Sequence, residues 1–457
     1  MRYRSEFVPP VPTAAPTGFR RVSAVPTAAS PLADWLGYLE TLHPRAVALG
    51  LERVAAVASR LRLALPCPVI TVTGTNGKGS ICAYMDAILR AGGYRVGLYT
   101  SPHLLRYNER VRIGGVEVAD AGMTEAFAAV EQARNDIALT YFEFGTLAAL
   151  WLFARAKLDA AILEVGLGGR LDAVNVIDAD VAVISGIGID HVDYLGGTRE
   201  SIGFEKAGIL RTAKPGVCAD PDPPRSLLAQ ARAIAAPLLR LGSDFGYAIV
   251  GNQWQFWVRH GEEIVRRHGL PLPALRGTVQ VRNAAAALTA LELLSGQLPV
   301  AMGAVRDGLV SVSWPARFQV LPGRPSVILD VAHNPQAATV LAANLGDMGY
   351  FPQTTAVFSM LGDKDIAGVA AAMDSRIDRW LVAPSSGARG SSSAHIRDSL
   401  IAAGIAAGGI AECADVARAL ALARDQSGEA DRIVVFGSFV TVASALLALK
   451  ASSRFGS

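Results

Sequence analysis

Thr71-Val-Thr-Gly-Thr-Asn-Gly-Lys-Gly-Ser80 reads as the end of a strand running into a phosphate-cradling loop. The β-branched, apolar run Val69-Ile70-Thr71-Val72-Thr73 suits a buried strand, and residues 80–93 have the apolar spacing of a helix. A loop in that position aims backbone N–H groups, a lysine and a helix N-terminus at one small volume, and that volume suits a phosphate. Gly74 and Gly77 let the backbone curl with no Cβ in the way, and Lys78 has the reach for β- and γ-phosphates. Ser80 adds a hydroxyl, and Thr75, Asn76 and Gly79 complete the cradle. The loop departs from the usual G-x-x-x-x-G-K-[ST] spacing, because Gly74 stands three residues before Gly77 and Gly79 separates Lys78 from Ser80. The competing reading is a glycine-rich turn with a solvated lysine.

A chain of 457 residues exceeds one ordinary domain and suffices for two sizeable cores. It has no apolar, uncharged stretch of about eighteen residues, which argues against a membrane span. The first thirty residues hold Pro9, Pro10, Pro12, Pro16 and Pro26 among Ala, Thr and Arg, and read as a flexible tail rather than a signal peptide. Cys67, Cys82, Cys218 and Cys413 form no C-x-x-C pair, which points to reduced thiols in a cytoplasmic protein without a zinc site. A net charge of +3, with no basic run interleaved with aromatics, argues against nucleic acid as a partner.

Around the loop, strand and helix alternate. Short strands are expected at 94–99, 160–165 and 181–187, ending respectively at Thr100-Ser-Pro-His103, at Glu164-Val-Gly-Leu-Gly-Gly-Arg170 and near Asp190-His191. In an open α/β sheet such turns gather at the carboxyl edge, where ligands bind. A helix is expected at 140–156, and the stretch 238–267 reads as a small antiparallel addition. A long helix begins near Asn283 and closes at Ser295-Gly-Gln-Leu-Pro299, a plausible hinge. The alternation then restarts, with strands at 326–331, 355–359, 380–383 and 432–436. Ser- and Gly-rich residues 385–393 read as a mobile loop. The expected fold class is α/β: an N-terminal P-loop ATPase-like domain with a mostly parallel sheet, and a smaller C-terminal Rossmann-like domain. The expected divisions are a tail at 1–30 and domains at 31–296 and 300–457.

Ser101, Glu164 and His191 all sit at or just beyond strand ends, so each can reach the space above the phosphate loop. A bound nucleotide requires a divalent metal with hard oxygen ligands, for which Glu164 and Ser101 are candidates. His191 is an unusual magnesium ligand, and its alternative is a histidine satisfied by Asp190 or Asp193. Glu164 has its own alternative, a pair with Arg170. Lys206, in Phe204-Glu-Lys-Ala-Gly-Ile209, reads by itself as part of a solvated Glu-Lys face. In the second half, Asp330-Val-Ala-His-Asn-Pro335 follows a strand, so Asp330 suits a ribose hydroxyl, and His333 or Arg317 suits phosphates across the cleft. Leu361-Gly-Asp-Lys-Asp365 places Asp363, Lys364 and Asp365 where an amino-acid zwitterion could dock; local Asx turns are the alternative for both segments.

Together these segments resemble folylpolyglutamate synthase/dihydrofolate synthase, of the Mur ligase superfamily, over nearly the whole chain from about residue 32 to residue 447. The resemblance adds Leu39-Glu-Thr-Leu-His-Pro44, Ser101-Pro-His-Leu104, Tyr141-Phe-Glu-Phe-Gly145, Glu164-Val-Gly-Leu-Gly-Gly-Arg-Leu-Asp172, Glu205-Lys-Ala-Gly-Ile209 and Phe436-Gly-Ser438 to the motifs above. It implies that the first domain is a Mur ligase central-type domain and the second a glutamate-ligase domain. By the same resemblance, Lys78 meets the nucleotide phosphates, and Ser101 with Glu164 holds a first Mg²⁺. His191 with Glu164 holds a second, and Lys206 is carbamylated beside it. Asn283 and Arg317 join Asp330 and His333 at the nucleotide, while Thr140, Phe142, Arg170 and Asp172 form a pterin pocket. Lys78, Lys206 and His333 would serve catalysis.

The implied reaction is ATP-dependent ligation of L-glutamate to dihydropteroate and to reduced folates through an acyl phosphate, by a monomer. One departure is Ala316, where the family often carries glycine in W-P-G-R. Two alternatives are a polyglutamate synthase only, or another Mur-type amino-acid ligase. A peptidoglycan-precursor ligase would need a uridine-nucleotide domain, and only about forty structured residues precede the loop. A nucleotide-dependent switch without turnover would have no use for an amino-acid pocket.

Overall fold

The structure, a computed structural model, describes residues 25–454 other than 388. Most of the expected tail, residues 1–24, lies outside the described residues. Residues 27–30 are a turn tied to the body: Trp35 Nε1 donates to the Thr27 carbonyl at 3.0 Å and Thr124 Oγ1 to that of Ala28 at 2.9 Å. A tail reaching residue 30 is therefore corrected at its last residues.

The apolar run before the loop forms a fully buried strand, Val69–Thr73 (β1). It feeds the helix Lys78–Ala91, which starts two residues earlier than its apolar spacing suggests because Gly77 caps it with a left-handed φ of 96°. β1 lies inside an eight-stranded sheet with Val96–Tyr99 (β2), Val111–Ile113 (β3), Val116–Glu117 (β4), Ala160–Glu164 (β5), Val181–Ile184 (β6), Gly216–Cys218 (β7) and Leu238–Arg240 (β8). The order is β4-β3-β2-β5-β1-β6-β7-β8, parallel from β2 to β8, with β3 and β4 added as an antiparallel edge. Alternate residues enter opposite cores. Val69, Ala161 and Leu163 pack with Phe144 and Leu147 of the helix Tyr141–Arg155, whereas Ile70, Val72 and Ile162 pack beneath the helices Lys78–Ala91 and Gln280–Leu293. Coverage of both faces is why these strands read as unbroken apolar runs.

The antiparallel addition is three strands, Phe245–Val250 (β9), Gln253–His260 (β10) and Glu263–Pro271 (β11), ordered β11-β10-β9. Phe245, Trp254, Phe256 and Val258 close the second core. The second half builds a six-stranded sheet from Gln319–Leu321 (β12), Ser326–Leu329 (β13), Thr354–Phe358 (β14), Arg379–Val382 (β15), Ile410–Glu412 (β16) and Arg432–Phe436 (β17). Its order is β12-β13-β17-β14-β15-β16, parallel except for the β12 edge. The segment expected to be mobile, 385–393, is held in its described residues: Ser385 N–H donates to the Ser391 carbonyl at 2.9 Å, Ser391 N–H to Ser385 Oγ at 2.7 Å, and Gly362 N–H to the Arg389 carbonyl at 3.0 Å. Among the described residues no helix is long and apolar enough to cross a membrane, and the four cysteines are free.

Candidate active site

Because β5, β1 and β6 are neighbours, the turns that follow them open side by side, although the end of β1 at Thr73 is far in sequence from those of β5 at Glu164 and β6 at Ile184. The phosphate loop is stitched to the turn after β6. Thr75 N–H donates to the Gly186 carbonyl at 2.8 Å, Thr75 Oγ1 to that of Gly188 at 2.9 Å, and Ser185 Oγ to that of Asn76 at 2.7 Å. Gly74 is required there: a Cβ would stand 1.7 Å from Ser185 Oγ, at a φ of 149°. Lys78 Nζ folds back onto the Gly74 carbonyl at 3.1 Å. Asn283, in the first turn of its helix, sets its amide against the loop, since a Cβ on Gly77 would meet Asn283 Oδ1 at 2.9 Å.

Ser101, Glu164, His191 and Lys206 line the same cavity as the loop. Ser101 N–H donates to Glu164 Oε2 at 3.1 Å, which ties the carboxylate to the turn that carries Ser101. Burial pushes the Glu164 carboxyl up, against the opposing charge of Lys78 and the Ser101 hydrogen bond. His191 is held neutral: burial, with Lys364 and Lys78 adding to it against Asp190, lowers it to about 4. Burial and then the charge of Lys78 bring Lys206 down to about 7. The solvated reading of Lys206 is therefore corrected, because the residue is 3% exposed. A buried carboxylate, a hydroxyl and a neutral imidazole are donors that fit a divalent cation. Among the described residues no three His, Cys, Asp or Glu gather closely enough to hold a metal by themselves. A divalent ion here would complete its shell from phosphate oxygens and water.

The second half supplies the facing wall from the turns after β13, β14 and β17. Arg317 lines the cavity, with its guanidinium 5.1 Å from the Phe439 ring centroid. It sits between Ala316 and Phe318, both at positive φ (60° and 45°), so the alanine occupies a conformation that favours glycine. Asp330 locks that turn by accepting from Phe318 N–H and Ala332 N–H, each at 2.8 Å. Burial pushes its carboxyl up, opposed by Arg317. His333 Nδ1 donates to the Val331 carbonyl at 2.8 Å, which leaves Nε2 facing Asp190 Oδ2 at 3.4 Å. Of the expected glutamate set only Lys364 lines the cavity. Asp365 caps the helix Ile366–Met373 through Gly368 N–H at 2.8 Å, and Asp363 pairs with Arg389 at 3.1 Å.

None of the four expected pterin residues is among those lining the cavity. Thr140 caps the helix Tyr141–Arg155, and Asp172 accepts from Leu167 N–H (2.8 Å) and Val174 N–H (3.0 Å). Arg170 pairs with Glu205 at 2.8 Å, and Phe142 lies where a Cβ on Gly166 would meet its ring at 2.6 Å. The cavity is lined there by Gly166, Leu167, Gly168 and Leu195. Its volume is about 790 Å³. Asp190, read in the sequence only as a possible partner of His191, also lines the cavity, and Asn334, Gln336, Arg276 and Arg282, which had no role in the sequence reading, line or bridge it. Asn334 and Asp190 lie inside quoted motifs; Gln336, Arg276 and Arg282 carry no local signal.

Two family models match this chain: the Mur ligase middle domain over residues 72–291 and the Mur ligase glutamate ligase domain over residues 316–439. The dihydrofolate synthase/folylpolyglutamate synthase of Escherichia coli is 47% identical over 436 residues, spanning 95% of this chain and 99% of that protein. The protein of the same name from Haemophilus influenzae is 40% identical, spanning 91% and 97%. Among solved structures, E. coli FolC in complex with DHPP and ADP superposes with a TM-score of 0.88 at 46% identity, over 94% of this chain and 100% of that one. A bifunctional folylpolyglutamate synthase/dihydrofolate synthase with Mn, AMPPNP and L-glutamate bound gives a TM-score of 0.85 at 47% identity, over 93% and 99%.

Proposed function

The chain belongs to the dihydrofolate synthase/folylpolyglutamate synthase family of Mur ligases, and on that premise we propose how its residues divide the work of ATP-dependent glutamate ligation. The enzyme joins L-glutamate to dihydropteroate, forming dihydrofolate, and to reduced folates, forming polyglutamates. The observation that supports the residue roles is the meeting, in one cavity, of the phosphate loop, the Ser101–Glu164 pair and a cationic wall from the second half.

The carboxylate of the pteroyl substrate is a poor electrophile and must be activated. Its oxygen attacks the γ-phosphorus of ATP, ADP leaves, and an acyl phosphate results. Lys78 and the N–H groups of residues 74–80 hold the β- and γ-phosphates, and Arg317 meets them from the opposite wall. Asn283 packs on the nucleotide side of the loop, and Asp330 accepts a ribose hydroxyl while keeping Arg317 in place. Ser101 and Glu164 would hold one Mg²⁺, and Glu164 with His191 a second, which would supply neutralisation of charge on the transferred group. The neutral amine of Lys206 adds to CO₂ and loses one proton to water, giving a carbamate anion on the His191 side. The amine of L-glutamate then attacks the acyl carbon, and phosphate departs as the amide forms. Lys364 with Arg389 takes a carboxylate of glutamate, which replaces the expected role of Asp363 and Asp365. The pterin ring lies on residues 166–168 over Phe142, with Asp172 holding that turn, Arg170 at its far end and Thr140 capping the helix that carries Phe142. Closure of the two halves excludes water from the acyl phosphate.

Glu164→Gln tests this assignment. It should lower kcat by roughly a hundredfold and raise the Mg²⁺ needed for half-maximal rate. Unchanged Mg²⁺ dependence would remove Glu164 from the metal site.

A further inference from the structure

Lys364 stands on the turn after β14, in the second half of the chain, yet its ammonium is bonded to the carboxylate of Asp190, on the turn after β6 in the first half, at 2.5 Å. That carboxylate also faces His333 Nε2 at 3.4 Å and accepts from Asn334 Nδ2 at 3.3 Å, both on the turn after β13. Asn334 goes on to exchange amide hydrogen bonds with Asn76 of the phosphate loop, at 3.2 Å in each direction. Asn76 Nδ2 also donates to Gln336 Oε1 at 2.9 Å. One polar chain thus runs from the phosphate loop through Asn334 and Asp190 to Lys364.

The Asp190 and Lys364 side chains are only 8% and 9% exposed. A charge so enclosed persists only when paired, and removal of one partner leaves the other uncompensated. All of the partners named for Asp190 across the cleft come from the second half, so these contacts exist only while the halves are together. On its own side of the cleft Asp190 lies 4.0 Å from His191 Nε2 and accepts from the His191 N–H at 2.8 Å; across the cleft its influence passes through Lys364, His333 and Asn334.

We propose that Asp190 is a positioning residue for L-glutamate: it docks Lys364 and His333 against the first half, so that the amino-acid site is assembled only when the second half has closed on the phosphate loop. A lysine already held across the cleft loses little further rotamer freedom when a carboxylate arrives. The inference rests on the ligase reading above, and wild-type glutamate-dependent ADP release tests that reading separately.

The experiment compares full-length Asp190→Asn, Lys364→Met and the double variant with wild type. For each, the KM for L-glutamate, the Kd for ADP and the Mg²⁺ requirement are measured. Asp190→Asn should raise the KM for L-glutamate about tenfold or more while the Kd for ADP stays within about twofold. The double variant should be no worse than the poorer single one, because both changes break one unit. A merely structural role would weaken ADP and glutamate alike. That result, or multiplicative losses in the double variant, or a shifted Mg²⁺ requirement with the glutamate KM unchanged, overturns the proposal. Lys364→Met reaches the same pair from the other side, so the test stands even if Asp190→Asn fails to fold.

Discussion

Lys206 shows how one residue trades stability for chemistry. Its folded value of about 7 lies below the ordinary 10.5, so the unfolded chain binds more protons than the folded one between those values. Stability from this group therefore rises as pH climbs from about 7 toward 10.5, and below 7 the full penalty of burying the ammonium stands. In bicarbonate-free buffer at pH 7, Lys206→Met should raise stability by on the order of 2 kcal/mol. Turnover should fall at least roughly a hundredfold. Denaturant titration and ADP release check the two halves; a variant that is neither more stable nor less active would return Lys206 to a solvated face. At this scale the sequence was only partly legible. Ser101, Glu164 and His191 could be found because each ends a strand, which places it at the ligand edge whatever its side chain does. Lys206 lies inside a helix, where the same pattern Glu205-Lys206 describes a solvated pair or a buried amine. Asp363, Lys364 and Asp365 are adjacent charges, and helix capping, a three-dimensional matter, turns Asp365 away from the cavity while Lys364 reaches Asp190.

At the scale of elements, the phosphate loop and its helix depend on two close approaches that only glycine allows. Gly74→Ala would drive a methyl into Ser185 Oγ and Cβ, at 1.7 and 2.9 Å, so the loop must leave β6. ATP affinity should drop by more than about tenfold, read by equilibrium binding of a nucleotide. Gly308, in the helix Met302–Ser311, touches the phosphate-loop helix directly: a Cβ would lie 2.6 Å from Ile88 Cα and 2.7 Å from its backbone nitrogen. Alanine gains about 1 kcal/mol of helix propensity, but overpacking against backbone that cannot yield costs about 1–3 kcal/mol. Gly308→Ala should thus lower the urea midpoint; an increase would show that the two helices can part without loss. Strands buried on both faces, such as β1, β5, β14 and β17, announce themselves as apolar runs. β3, β4 and β7 have three residues or fewer, too short for any period to register, and Leu238–Arg240 (β8), read as the start of the antiparallel addition, instead pairs parallel with β7 at the edge of the main sheet.

For the whole molecule, the cleft between the halves keeps two histidines uncharged. Burial lowers both His103, which also accepts from Arg110 Nε at 2.9 Å, and His191 to about 4, against 6.5 in an unfolded chain. Between those values the unfolded state binds more protons, so stability should fall as pH drops from 6.5 to 4 and level off below. Thermal melts across that window should show the slope, and a flat profile would mean that both imidazoles are solvated. The order of motifs made two α/β halves legible. Their meeting through Asn76, Asn334 and Asp190 was not, because contacts between residues 258 or 144 positions apart leave no local pattern. The ligation account is tested most directly by ADP release from the purified chain with Mg²⁺, ATP and L-glutamate, run in parallel with dihydropteroate and tetrahydrofolate, with products identified by mass. Glutamate-dependent ADP release and a glutamyl adduct of each acceptor is the predicted result; release that neither acceptor stimulates would contradict it.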